Sequence, residues 1–119
     1  MNITLDKNKP ICLQLCEQIC VLIANGSLKA EEKMPSVREV ALSTGVNPNT
    51  VQKSFEELER KELISSVRGV GWFVTGDTKA AQEAVRELLF QKTKLFFEQT
   101  ASLGLSGEET KEYIKEWEL

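Results

Sequence analysis

Two helix starts separated by one glycine restrict this chain more than any other feature. Ser36 is followed three residues later by Glu39, the pattern of a capping box in which two side chains satisfy two orphan backbone N–H groups. Pro35 is placed to pack on Val40, and Val37, Val40 and Ala41 give this helix its buried side. Gly45 closes it, because glycine takes a positive φ at little cost. Asn47 then caps a second helix, with Pro48 at its first position and Val51, Phe55 and Leu58 at helical spacing. Two short helices joined through Thr44-Gly45-Val46 form a helix-turn-helix, with Asn47–Arg60 as its second helix.

The flanking segments complete a mostly α fold with a small β-hairpin. Pro10–Ala24 reads as a helix with Pro10 at its first position and an apolar stripe of Ile11, Leu15, Ile19, Leu22 and Ile23. Asn25-Gly26 ends it, and Ser27–Met34 reads as a loop. Leu63–Ser65 and Trp72–Thr75 read as strands joined by a flexible tip, Val67–Gly71. A helix-turn-helix followed by such a hairpin is a winged helix. Asp77–Leu103 reads as one long helix capped by Asp77, and Ser106 with Glu109 opens a short last helix ending near Trp117. The expected division is a winged helix-turn-helix over 1–76 and a tail of two helices over 77–119.

Charge divides along the same boundary. Residues 1–76 carry nine basic and nine acidic side chains, whereas 77–119 carry six and nine, so the whole excess of −3 lies in the tail. A neutral first segment can still present a basic face, though nonspecific attraction to phosphate is modest. The chain has no histidine, which removes the Ser/His and Cys/His catalytic arrangements and the commonest metal ligand. No carboxylate pair, nucleophile–base set or phosphate loop stands out, so neither an enzyme nor a bound cofactor or metal is expected. The polar residues Met1–Pro10 lack a signal-peptide core, and no apolar run approaches the ~20 residues of a membrane helix, so a cytoplasmic protein is expected. Cys12, Cys16 and Cys20 drift by only about 40° per step around one helix, so they share a side. They read as small core residues, with a redox switch or soft-metal site as the alternative.

Over about residues 10–75 the sequence resembles the bacterial GntR family of transcriptional regulators. The resemblance is carried by Pro10-Ile11 with Gln14-Leu15, Gly26-Ser27-Leu28, Met34–Ala41, Gly45–Val51, Leu58-Glu59 and Gly69–Val74, in that order and spacing. Only a short helical segment follows Gly76, which is similar to the YtrA subfamily. That likeness implies a repressor that binds double-stranded DNA as a homodimer joined through its tail, often at a transporter operon. An effector would act by favouring one dimer geometry, and the sequence identifies none.

The resemblance also assigns roles to residues. Ser36 and Arg38, at the start of the first helix of the motif, are expected at DNA, Arg38 on phosphate or a base edge. Asn49 and Thr50 project from the first turn of the second helix, where this motif meets base edges, while Asn47 serves at least as a cap. Gln52 is a further base reader and Lys53 a phosphate contact. Arg68 reads as a wing-tip contact to phosphate or the minor groove. Gly69 and Gly71 either admit the DNA backbone closely or serve turn geometry alone. Val85, Leu88, Leu89, Leu95 and Phe96 mark an apolar side that reads as a dimer seam, with intrachain core as the alternative. Tyr113 and Trp117 either dock the last helix or line an effector pocket. The acidic tail and the absence of a basic residue at Pro48 leave open a second class, a winged helix used for protein interaction without specific DNA binding.

Overall fold

The computed structural model describes residues 1–118. Its elements are α1 (Ile11–Ala24), α2 (Val37–Thr44), α3 (Pro48–Arg60), β1 (Ile64–Val67), β2 (Gly71–Val74), α4 (Lys79–Ser102) and α5 (Gly107–Lys115). This is a winged helix followed by two helices. The chain's internal contacts divide it into two compact units, Met1–Val85 and Arg86–Leu119, so that α4 contributes to both. No helix among the described residues is long and apolar enough to cross a membrane.

Local chemistry explains the start and end of each helix in the first unit. The Ser36 hydroxyl accepts from the Glu39 N–H at 3.0 Å, and the Glu39 carboxylate accepts from the Ser36 N–H at 3.1 Å. Those two bonds hold the Glu39 carboxyl below the usual carboxylate range. Gly45 ends α2 with φ of 73° and donates its N–H to the Ala41 carbonyl. α2 has only eight residues and would not persist alone, so its cap matters. Ser36→Ala is expected to lower stability by about 1 kcal/mol, read as a lower denaturant midpoint at unchanged slope. α3 begins as expected, with the Asn47 side chain accepting from the Asn49 N–H at 2.8 Å and Pro48 in the first turn. It ends without glycine. Glu62 takes φ of 62°, and the bonds Leu63 N–H to Leu58 carbonyl and Glu62 N–H to Glu59 carbonyl close the last turn as a Schellman motif. Pro10 lies one place outside α1, at its N-cap, because its ψ of 118° is extended.

The core forms where α1 and α3 cross beneath the hairpin. Leu15, Ile19 and Ile23 of α1 meet Val51, Phe55 and Leu58 of α3, with Val40, Leu63, Ile64 and Val74 around them. Phe55 is fully buried and its ring meets Trp72 edge-on, centroids 5.5 Å apart. The first turns of α4 belong to this core. Ala81 is completely buried, and Ala84 and Val85 pack against the cluster.

The wing differs from the sequence reading in register and size. The strands pair antiparallel from Ile64–Val74 to Val67–Gly71, so β1 runs two residues further than Ser65 and β2 starts one residue before Trp72. The tip shrinks to Arg68-Gly69-Val70, closed by the Val70 N–H on the Val67 carbonyl at 3.0 Å. Gly69 has φ of 78°, the conformation that a type II turn requires at its third position. The loop before α2 is partly a third edge: Lys33 bridges Phe73, and Met34 N–H donates to the Trp72 carbonyl at 2.7 Å.

The second unit is two helices with almost no interior. A turn through Gly104 (φ 91°) leads to Ser106, whose capping box with Glu109 opens α5. Thr110 is its one buried residue among those described, and its hydroxyl bonds Thr100 at 2.9 Å. α4 begins at Lys79, whose N–H is held by the Asp77 carboxylate at 3.0 Å, and stops at Ser102.

Candidate nucleic-acid interface

The two helix starts that define the motif also organise the candidate interface. Arg38, one residue into α2, is exposed and has no ion pair or side-chain hydrogen bond among the described residues. Lys53 on α3 and Arg68 at the wing tip are equally exposed and unpaired. The Ser36 hydroxyl is occupied by the capping box. Asn47 is spent as a cap, whereas Asn49 is exposed with its carboxamide unengaged. Thr50 is half-buried at the base of the first turn. Gln52 donates to Glu56 one turn along at 3.1 Å, an exposed bond that water or a base edge can replace at little cost.

Acidic residues on α3 are disposed of internally. Glu57 receives both Arg60 and Lys61, and the pairing with Arg60 holds the Glu57 carboxyl below its ordinary range. Glu59 accepts from the backbone N–H and hydroxyl of Ser66 at 2.8 and 2.9 Å, tying α3 to β1. These glutamates therefore act in the fold, and Arg38, Lys53 and Arg68 are among the cations without an ion-pair partner among the described residues.

Gly69 and Gly71 play different parts. A β-carbon on Gly69 would meet nothing, so only its φ requires glycine. At Gly71 (φ 139°) a β-carbon would lie 3.1 Å from the Lys33 Cε, so the lysine stem occupies that space. The Lys33 charge also contributes to lowering the Glu39 carboxyl. The sequence reading passed over Lys33 because the loop around it shows no periodicity; its pairing with Phe73 is long-range.

The three cysteines sit inside the α1–α3 contact and beside α4. Ser54, fully buried on α3, brings its hydroxyl to within 3.2 Å of the Cys12 carbonyl and 3.3 Å of the Cys12 thiol. The Cys16 thiol donates to the Ser54 carbonyl at 3.4 Å and the Cys20 thiol to the Ala81 carbonyl at 3.7 Å. Burial pushes the Cys16 thiol up to about 11, with the neighbouring Cys12 adding to the effect. Burial raises Cys20 as well. Both thiols stay protonated at neutral pH and are poor nucleophiles. No group of three metal-ligating side chains occurs among the described residues.

Residues expected in the tail fall into two sets. Val85 belongs to the first unit's core, while Leu89, Leu95 and Phe96 are 65%, 54% and 41% exposed and Leu88 is half-buried. Tyr113 and Trp117 have ring centroids 6.1 Å apart and line, with Phe96 and Ile114, a cleft of about 240 Å³. That volume is below the roughly 300 Å³ of small ligand sites, which suits docking of α5 on α4.

Residues 13–74 match the family model of bacterial regulatory proteins, gntR family. The HTH-type transcriptional regulator YhcF of Bacillus subtilis, itself uncharacterized, is 36% identical over 115 residues, covering 97% of this chain and 95% of that protein. The HTH-type transcriptional repressor YtrA of the same organism is 34% identical over 108 residues, covering 90% and 83%. A GntR family transcriptional regulator from Listeria monocytogenes superposes with a TM-score of 0.83 at 34% identity, covering 96% of this chain and all of that one.

Proposed function

Because this chain belongs to the gntR family of bacterial regulatory proteins, we propose that it is a homodimeric repressor reading an inverted pair of DNA half-sites. Its relatives are transcriptional regulators, and it is a DNA-binding regulator rather than an enzyme. α3 enters the major groove, where the free Asn49 carboxamide pairs with an adenine edge and Thr50 meets a phosphate or thymine methyl. Gln52 reads a further base after releasing Glu56. Arg38, Lys53 and Arg68 hold phosphates, with the capped start of α2 at Ser36 and the open backbone at Gly69 approaching the strand. Residues 1–76 are the reading domain and 77–119 the dimerising tail. The protein acts in the cytoplasm, and the subfamily resemblance makes a transporter operon the candidate target.

The observation that carries this reading is the charge arrangement around the motif. Arg38, Lys53 and Arg68 are exposed without partners, while Glu57 and Glu59 are bound within the fold. Unpaired cations beside a free carboxamide suit a phosphate backbone carrying base edges. Arg38→Ala tests it. Operator affinity is expected to fall roughly tenfold to a hundredfold. Stability should move by no more than about 0.5 kcal/mol, because Arg38 is exposed. Equal affinity of variant and wild type would remove Arg38 from the interface.

A further inference from the structure

We propose that the arm ahead of α1 is a further DNA-contacting element, in addition to α2, α3 and the wing, which sets Lys7 beside the first turn of α3 to hold a backbone phosphate. This rests on the DNA-binding reading above. The arm is fastened by two glutamines one turn apart on α1. The Gln18 carboxamide accepts from the Thr4 N–H at 3.0 Å and donates to the Thr4 carbonyl. The Gln14 carboxamide accepts from the Asp6 N–H at 2.7 Å and donates to the Asp6 carbonyl at 2.8 Å. A carboxamide offers the same donor and acceptor as a peptide unit. Thr4 and Asp6 therefore pair with the α1 carboxamides as they would with a neighbouring peptide unit.

Gln14 also fixes the turn that carries Lys7. Its Nε2 lies 3.1 Å from the Lys9 carbonyl and 3.3 Å from that of Pro10. The Asn8 N–H bonds the Asp6 carboxylate at 2.9 Å and the Lys9 N–H bonds the Asp6 carbonyl at 3.1 Å. Lys7 is thus held on an ordered turn, and the glutamine of the Pro10–Leu15 motif gains a physical role. Lys7 lines a groove of about 510 Å³ whose far wall includes Asn47 and Thr50 at the start of α3. Lys7 is the only charged residue of that lining, is exposed, and has no ion pair or side-chain hydrogen bond among the described residues. An unpaired lysine in a groove also lined by Ser43, Thr44, Asn47 and Thr50, with no carboxylate residue in the lining, suits an anion. The phosphate of the strand met by the first turn of α3 lies within the same reading.

The test uses the full chain and the operator duplex that it selects from a random pool, titrated over a salt series. Lys7→Gln is expected to bind about three- to tenfold more weakly and to reduce the slope of log K against log salt by about one. Releasing the arm with Gln14→Leu and Gln18→Leu should weaken binding similarly. Adding Lys7→Gln to that pair should then cost little more, since both changes remove one contact. If the paired glutamine variant does not fold, Lys7→Gln alone decides. Unchanged affinity and slope for Lys7→Gln, with Arg38→Ala still impaired, would overturn the inference and leave the DNA-binding reading intact. A wild type that binds no duplex would overturn both.

Discussion

A Leu89→Glu, Leu95→Glu double variant is expected to sediment at the 13.4 kDa mass of one chain, while the wild type sediments at twice that mass at micromolar concentration. The reason lies in how little the tail buries. Among the described residues of the second unit only Thr110 is buried, yet Leu89, Phe90, Leu95, Phe96, Leu103, Leu105, Tyr113, Ile114 and Trp117 are all exposed. So dense an apolar surface on two helices suits a covering partner, and the second copy proposed above would supply the same surface. Leu89 and Leu95 lie on the apolar side of α4, are largely exposed and do not line the cleft formed with α5, so glutamates there leave that cleft intact. In a symmetric seam they introduce four like charges. Losing the second subunit removes the effective concentration that couples two half-sites, and operator affinity should fall by roughly 10²–10⁴. A variant that keeps the double mass would place the seam elsewhere.

Phe55→Ala carries the largest expected cost to the fold, about 3–5 kcal/mol. Phe55 is wholly buried at the centre of α3 and meets Trp72 edge-on, so truncation leaves a cavity between α3 and the wing. Small domains hold only about 5–15 kcal/mol in total, so the winged helix would be near its limit. Chemical denaturation measures this directly. Lys53→Ala, two residues earlier and exposed, should leave the denaturation midpoint unchanged while weakening DNA binding. A loss below about 1 kcal/mol at Phe55 would mean that this site repacks around the gap.

The helix starts were readable from sequence because capping is local. Ser36 with Glu39, Asn47 with Pro48 and Ser106 with Glu109 each depend on residues within one turn, and all three stand in the structure. The fold class followed from their order. The wing was located but shifted, since its register is set by pairing across the hairpin and by the turn at Gly69. The third edge at Lys33 and the arm fastened by Gln14 and Gln18 depend on long-range hydrogen bonds and leave no periodic trace. Val85 shows the same limit. It shares the apolar stripe of α4 with Leu89, yet it packs on the winged-helix core, a difference that one helical pattern cannot express.

At the candidate interface, sequence identified the exposed cations Arg38, Lys53 and Arg68, and the structure adds what surrounds them. Glu56, Glu57 and Glu59 put three carboxylates on the helix proposed to face DNA. They are engaged with Gln52, Arg60, Lys61 and Ser66, which lessens their conflict with phosphate. Cys12, Cys16 and Cys20 were indistinguishable on the helix. Ser54 and Ala81 now separate them by partner, and burial makes Cys16 and Cys20 poor redox sensors.

Selection of bound duplexes from a random pool tests the dimeric DNA reader most directly, because one experiment reports both binding and geometry. The expected product is a pool enriched in two inverted copies of one short half-site, with centres about 10 base pairs or a multiple apart. A pool enriched in single half-sites, or not enriched at all, would contradict it.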